Sequence, residues 1–330
     1  LLYQPGAHLP TSGKKIQKSI TFAGIEVFPG ESKRIEMPIS KLHMQGTVSI
    51  PLHVMYGRKP GPTLCLTATL HGDEICGIEI IRRIMDKVKV DQLAGTIIFV
   101  PVVNVFGFIN GSRYLPDRRD LNRCFPGSKN GSMASRLAYI YTNEVIDKCD
   151  YIIDFHTAAV GKMNYPQVRA NLENRDIYNF AKLFNAPVII HSKEIKGSLR
   201  ETALRKKCKM IVFESGEVHR FDPASIDVAV GGIFHVLSKM KMYTSKTKIK
   251  KAKTQVFTSM KWIRASKSGL VHFFHKLGDN VKNKEKIGNI TDIFGDPIAA
   301  IKAPCSGVVV GIATNPKVYQ GDAIIHIARK

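Results

Sequence analysis

Apolar residues fall along this chain in two rhythms, and the point where the rhythm changes divides it. Residues 46–58 alternate apolar and polar, which predicts a strand with one covered face. Thr63–Leu70 (TLCLTATL), Thr96–Val103 (TIIFVPVV), Tyr151–Phe155 (YIIDF) and Lys209–Phe213 (KMIVF) are mostly apolar runs too short for helices. They predict strands covered on both faces, and Pro187–His191 is strand-like too. Between them, Glu79–Val90, Met133–Lys148, Asn174–Leu183 and Ala224–Lys241 carry apolar residues at helical spacing. Short buried strands alternating with helices predict an α/β fold: a mixed β-sheet with helices on both faces.

After about residue 254 the helical spacing stops and short β-rich pieces follow, punctuated by Gly-Asp turns. A weak repeat runs through them. Ser268-Gly269-Leu270-Val271, Gly278-Asp279 and Ile287-Gly288-Asn289-Ile290 have counterparts in Ser306-Gly307-Val308-Val309, Gly321-Asp322 and Ile324-Ile325-His326-Ile327. Two such halves resemble the biotinyl/lipoyl-type barrel-sandwich hybrid. A carrier of that type presents a modifiable lysine between the halves, whereas the connection here reads Phe294-Gly295-Asp296-Pro297. The expected organisation is a β-rich N-terminal extension over residues 1–45, a catalytic domain over 46–250, and a small all-β module over 256–330 that acts as structure or lid, without biotin or lipoyl.

Composition narrows the classes. A chain of 330 residues suits one large domain plus a smaller one. No run of about 18 apolar residues is present, so no membrane span is expected. Cys65, Cys76, Cys124, Cys149, Cys208 and Cys305 form no CxxC pair or dense framework, which suits a reducing compartment and predicts a cytoplasmic protein. The net charge of +22 attracts anions, but stacking aromatics do not interleave with the basic residues, so no specific nucleic acid is expected. Much of the charge lies between Lys239 and Lys267, with Lys246, Lys248, Lys250, Lys251 and Lys253 close together, and reads as a solvated linker or edge strand.

Four constellations carry chemistry. His71-Gly72-Asp73-Glu74 follows a buried strand, so its imidazole and carboxylate can face one ion. Zinc accepts both ligand types and requires a third. Asp154-Phe155-His156 closes another strand, and His156 can be that third ligand. An HxxE pair arises often by chance and a lone histidine is usually structural, but their joint placement at strand ends is far more specific. Asn122 and Arg123, in Asp120-Leu121-Asn122-Arg123, can hold a substrate carboxylate through a planar fork and an amide donor; alone, such a stretch is usually a salt-bridged surface loop. Glu214-Ser215-Gly216-Glu217 offers carboxylates just past a strand, where one could shuttle a proton from water to a leaving nitrogen.

In order and rough spacing, His71-x-x-Glu74, Asp120-Leu121-Asn122-Arg123 with the preceding Arg113-Tyr114-Leu115-Pro116-Asp117, Asp154-x-His156 and Glu214-x-Gly216 resemble the succinylglutamate desuccinylase/aspartoacylase group, a branch related to zinc carboxypeptidases. The resemblance covers about residues 46–240. It implies a zinc carboxypeptidase-like fold and one Zn2+ per chain on His71, Glu74 and His156. Glu214 would be general base and acid, favoured over Glu217 by the Glu-x-Gly match. Asn122 and Arg123 would bind the substrate carboxylate. Arg113 would stabilise the oxyanion, with Arg118 and Arg119 as rivals in the same loop. Asp154 would orient a ligating histidine.

The expected activity is hydrolysis of the amide of a small N-acyl amino acid or related carboxylate-bearing substrate, without an acyl-enzyme. A cysteine nucleophile at Cys124 lacks a visible histidine partner. A zinc carboxypeptidase or esterase, and a non-catalytic small-molecule binder on the same fold, are the alternatives. A homo-oligomer stays open.

Overall fold

The computed structural model describes residues 18–245 and 252–330. Lys246, Lys248, Lys250 and Lys251 of the basic stretch, and residues 1–17 of the N-terminal extension, lie outside the described residues. In chain order the first part comprises β1 (Ile20–Phe22), β2 (Ile25–Val27), β3 (Ser32–Lys41), β4 (Thr47–Tyr56), β5 (Lys59–Ala68), α1 (Cys76–Lys87), β6 (Ala94–Val100), α2 (Val105–Ile109) and α3 (Met133–Glu144). Next come β7 (Tyr151–Ala158), β8 (Lys162–Ala170), α4 (Arg175–Leu183), β9 (Val188–His191), α5 (Leu199–Arg205), β10 (Lys209–Glu217) and α6 (Pro223–Lys239).

The main sheet runs β3-β4-β6-β5-β7-β10-β8, with β6, β5, β7 and β10 parallel to one another and β4 and β8 antiparallel on either side of them. It is therefore mixed. The parallel strands bury alternate side chains in two different cores. Leu64, Leu66, Ile153, Phe155, Ile211 and Phe213 face the layer containing α1, α4 and α6. Cys65, Ile98, Ile152 and Met210 face the layer containing α3 and α5. Burial on both faces is why these strands read as mostly apolar runs.

Three elements were not visible in the apolar pattern, one of them the five-residue α2. β8 (KMNYPQVRA) carries Lys162, Asn164, Gln167 and Arg169 in place of an apolar face. α5 is only seven residues long and starts on Ser198, whose side chain accepts from the Glu201 amide; a segment so short shows little periodicity. The helix read as Met133–Lys148 ends at Glu144 and continues as a separate 3-10 turn, Ile146–Lys148.

The C-terminal part comprises β11 (Gln255–Phe257), β12 (Ser259–Arg264), β13 (Gly269–Phe273), β14 (Asn280–Val281), β15 (Lys286–Thr291), β16 (Pro297–Lys302), β17 (Gly307–Ala313), β18 (Lys317–Val318) and β19 (Ala323–Arg329). One layer is the antiparallel sheet β16-β15-β13-β18. The other, β12-β19-β17, continues the main sheet because β17 pairs with β8 through Gly311↔Asn164, Ile312↔Met163 and Ala313↔Lys162. Val271, Ile287, Ile290, Ile301, Val309 and Ile325 contribute to the small core between the layers. No helix among the described residues is long and apolar enough to cross a membrane.

Candidate active site

The chain leaves β5 through a strained bend. Thr69 takes φ +56°, a region that disfavours β-branched residues, and its hydroxyl donates to the Pro101 carbonyl at 3.0 Å. Leu70 is buried beyond it, and His71 and Glu74 turn back over the strand end. Gly72 is required by close packing, since a Cβ there would collide with the Gly107 backbone. His156 arrives from β7, the neighbour of β5.

These three side chains meet. His71 Nδ1 lies 2.7 Å from Glu74 Oε1, and His156 Nδ1 lies 2.8 Å from Glu74 Oε2. One ligand atom from each falls within 4.8 Å of the others, and all three residues are buried. Asp154 fixes the ring of His156 by accepting from Nε2 at 2.8 Å, which presents Nδ1 to the Glu74 carboxylate. Asp120 occupies the matching place behind His71, with Oδ1 at 3.3 Å from Nε2, an ionic contact outside hydrogen-bond geometry. Two ring nitrogens converging on one carboxylate require positive charge between them, as protons on the rings or as a cation, and a divalent cation with mixed N/O preference fits that donor set.

Charge dominates this cluster. Burial alone would raise the Glu74 pKa, but the adjacent His71 and His156 charges and their hydrogen bonds hold it far below the usual carboxylate range. Burial likewise opposes protonation of both imidazoles. It is outweighed for His156 by Asp154 and Glu74, and for His71 by Glu74 and Asp120, so both pKa values lie above the ordinary histidine value.

The cluster forms one end of a cavity of about 310 Å³. Glu214 lines it from β10, where its cross-strand partner on β7 is His156. Arg169 contacts Glu214 Oε1 at 3.0 Å and Asn164 donates to Oε2 at 2.9 Å. Arg113 also lines the cavity. Its guanidinium donates to Asp120 at 2.8 Å and to His71 Nδ1 at 3.2 Å, and approaches Glu74 to 3.6 Å. Asn122 Oδ1 accepts from the Leu199 amide at 2.9 Å, which leaves its NH2 group for the cavity. Arg123 sits exposed at the rim.

Several of the sequence alternatives separate here. Arg118 and Arg119 are exposed and do not line the cavity. Glu217 also lies off it, accepting from Thr314 at 2.8 Å. The Cys124 thiol donates to the Asp120 carbonyl at 3.4 Å, and burial pushes its pKa up, the reverse of an activated nucleophile.

Five contributors were missed in the sequence, among them Lys162 of β8. Asn164 and Arg169 lie on β8, the strand without an apolar pattern. Arg200, at the start of α5, sends its donors to the Ser192 carbonyl, the Ser192 hydroxyl and the Lys193 carbonyl, and burial lowers its pKa. Trp262 reaches the cavity from β12 of the C-terminal module. It stacks on His326 with ring centres 4.0 Å apart and planes 10° apart, and Lys162 lies 5.4 Å from its ring centre. Arg113, Arg123, Lys162, Arg169 and Arg200 outnumber the lining carboxylates Glu74, Asp154 and Glu214, so the cavity favours an anionic guest.

Fold and cavity together define the class: an α/β protein that gathers an imidazole–carboxylate–imidazole cluster and a separate carboxylate at the carboxyl ends of adjacent parallel strands. Residues 60–240 match the family model of the succinylglutamate desuccinylase/aspartoacylase catalytic domain, and the chain belongs to that family of deacylases. An N-alpha-acetyl-L-2,4-diaminobutyric acid deacetylase from Halomonas elongata is 27% identical, over 98% of this chain and 97% of its own. Among solved structures, the product-bound ectoine utilization protein EutE (DoeB) from Ruegeria pomeroyi has a TM-score of 0.78 at 23% identity, covering 91% of this chain and 95% of its own. A succinylglutamate desuccinylase/aspartoacylase from Rhodobacter sphaeroides has a TM-score of 0.78 at 24% identity, covering 91% and 96%. These two share the fold.

Proposed function

We propose that this chain is a zinc-dependent amidohydrolase that removes a short acyl group from the nitrogen of a small, carboxylate-bearing amino acid. The observation that carries this reading is the cavity that holds His71, Glu74 and His156 together with Glu214, the cross-strand neighbour of His156. His71, Glu74 and His156 would hold the zinc, which supplies a Lewis acid and lowers the pKa of water towards about 7.

The chain's own groups do the rest. Glu214 accepts a proton from the attacking water. As the carbon–nitrogen bond breaks, it returns that proton to the leaving nitrogen, and the acyl group departs as a carboxylate. Arg113, fixed by Asp120, faces the oxygen that gains negative charge. Asn122 and Arg123 hold the substrate carboxylate, and Arg200 adds a half-buried positive charge to the same cavity.

The H. elongata relative, matched along nearly its whole length, supports an N-acetylated amino acid as substrate. The small cavity favours such a molecule over a peptide. By role, residues 46–250 form the catalytic segment and 256–330 a β module that closes one cavity wall through Trp262. The cysteine pattern supports a cytoplasmic location.

A panel of N-acetyl and N-succinyl amino acids, including N-alpha-acetyl-L-2,4-diaminobutyrate, tests the reading. Zinc-loaded protein should release free amine from at least one member, and a chelator should abolish release. Zinc-loaded, folded protein that is inert across the panel would overturn it.

A further inference from the structure

Glu214 is held at both oxygens by one strand. Arg169 contacts Oε1 at 3.0 Å and Asn164 donates to Oε2 at 2.9 Å, and both lie on β8. A carboxylate gripped at two points loses the rotation about its last side-chain bonds that would carry it away from a reacting water. On the β17 side, a glycine leaves room for the Asn164 side chain. The cross-strand partner of Asn164 is Gly216 on β10 and, on the other side, Gly311 on β17. A Cβ on Gly311 would stand 3.1 Å from Asn164 Oδ1 and 3.2 Å from His326 Cβ. Asn164 is buried, and the second glycine comes from the C-terminal module.

We propose that Asn164 and Arg169 are positioning residues that clamp the two oxygens of Glu214, and that β17 of the C-terminal module completes the clamp by holding Asn164 in register. The proposal rests on the reading of Glu214 as the proton shuttle. On that basis the β module contributes to turnover as well as to the shape of the cavity.

The test uses full-length, zinc-loaded protein and the N-acyl amino acid turned over fastest in the panel. Asn164→Ala and Arg169→Gln should each lower kcat by about ten- to a hundredfold and leave KM within about threefold, because the lost interaction acts on the shuttle and not on substrate binding. Arg169→Lys should recover part of that loss. Combined with Glu214→Gln, either change should cost less than about twofold more, since groups that act as a unit are not additive. Crystal structures of both single variants should show the Glu214 carboxylate displaced.

The outcomes separate the two ideas. If Glu214→Gln retains turnover, the shuttle assignment falls and the clamp with it. If Glu214→Gln is inactive but the β8 variants keep wild-type kcat, or raise KM alone, the clamp is wrong and the shuttle stands. An unmoved Glu214 carboxylate in both variant structures would also overturn the clamp, and it needs no activity.

Discussion

His156 and Glu214 are direct partners across the parallel pairing of β7 and β10, so a metal-type ligand and the carboxylate assigned to proton transfer share one level of the sheet. Rigid backbone pairing sets that relationship, whereas the loops around it carry Arg113, Asn122 and Arg123. The expected effects of substitution differ accordingly.

Elemental analysis should find roughly one zinc per chain. His71→Ala and His156→Ala should lose it. Asp154→Ala and Asp120→Ala keep all three ligands but free the far ring nitrogens, so zinc affinity should fall by about 10- to 100-fold. Unchanged affinity in both aspartate variants would mean that the rings are held by packing alone.

Glu214→Ala should retain zinc and lose turnover by about a hundredfold or more. Glu217→Ala should be mild, because Glu217 contacts Thr314 and Arg220 away from the cavity. Steady-state kinetics with the reverse ranking would show that the wrong carboxylate has been chosen.

Arg123→Lys keeps the charge and loses the planar fork. Turnover of a free-carboxylate substrate should drop much more than turnover of its methyl ester, and moderate salt should alter the contrast little, since a bidentate contact is positional while steering is screened. Equal losses on both substrates would assign Arg123 to structure and leave the carboxylate to Arg113 or Arg200.

Acid should expose His326. Burial, with Arg169 and Lys162 nearby, lowers its pKa from 6.5 to about 3. Between those values the unfolded chain binds a proton that the folded chain refuses. The neutral histidine therefore contributes its full stability above pH 6.5 and loses it as the pH falls towards 3, by about 1.4 kcal/mol per unit. His326→Phe preserves a ring against Trp262 and removes the titration. Its Tm should decline less than that of the wild type between pH 7.5 and 4.5, and parallel declines would mean that His326 is protonated in the fold.

Intact-mass measurement should show no biotin or lipoyl adduct. The β15–β16 turn presents Ile293 and Phe294, 81% and 86% exposed, where a carrier would present its lysine.

The parallel strands were legible because burial on two faces leaves an unambiguous apolar run. His71, Glu74 and His156 were legible as residue types at strand ends, although only the structure shows Glu74 between the two rings. β8 was hidden by the feature that makes it useful, since Lys162, Asn164 and Arg169 replace an apolar face with cavity lining. Arg200 is one of two arginines in a seven-residue helix, too short to show a pattern that would single it out. Trp262 lies 48 residues after Glu214 in the chain, and only strand pairing brings it to the cavity. Arg113 lines the cavity while Arg118 and Arg119 do not, a difference of side-chain direction that spacing does not encode.

The pairing of β8 with β17 has a consequence for how the molecule comes apart. A chain ending before residue 252 would leave the Lys162–Asn164 edge of β8 with open amides and carbonyls. It would also strip Val188 and Ile190 of their cover from Phe257, Val308, Val310 and Ala328. Such a truncation creates a sticky edge beside an apolar patch, a recipe for aggregation instead of a smaller enzyme. The two segments should melt together as one cooperative unit, with a single calorimetric endotherm.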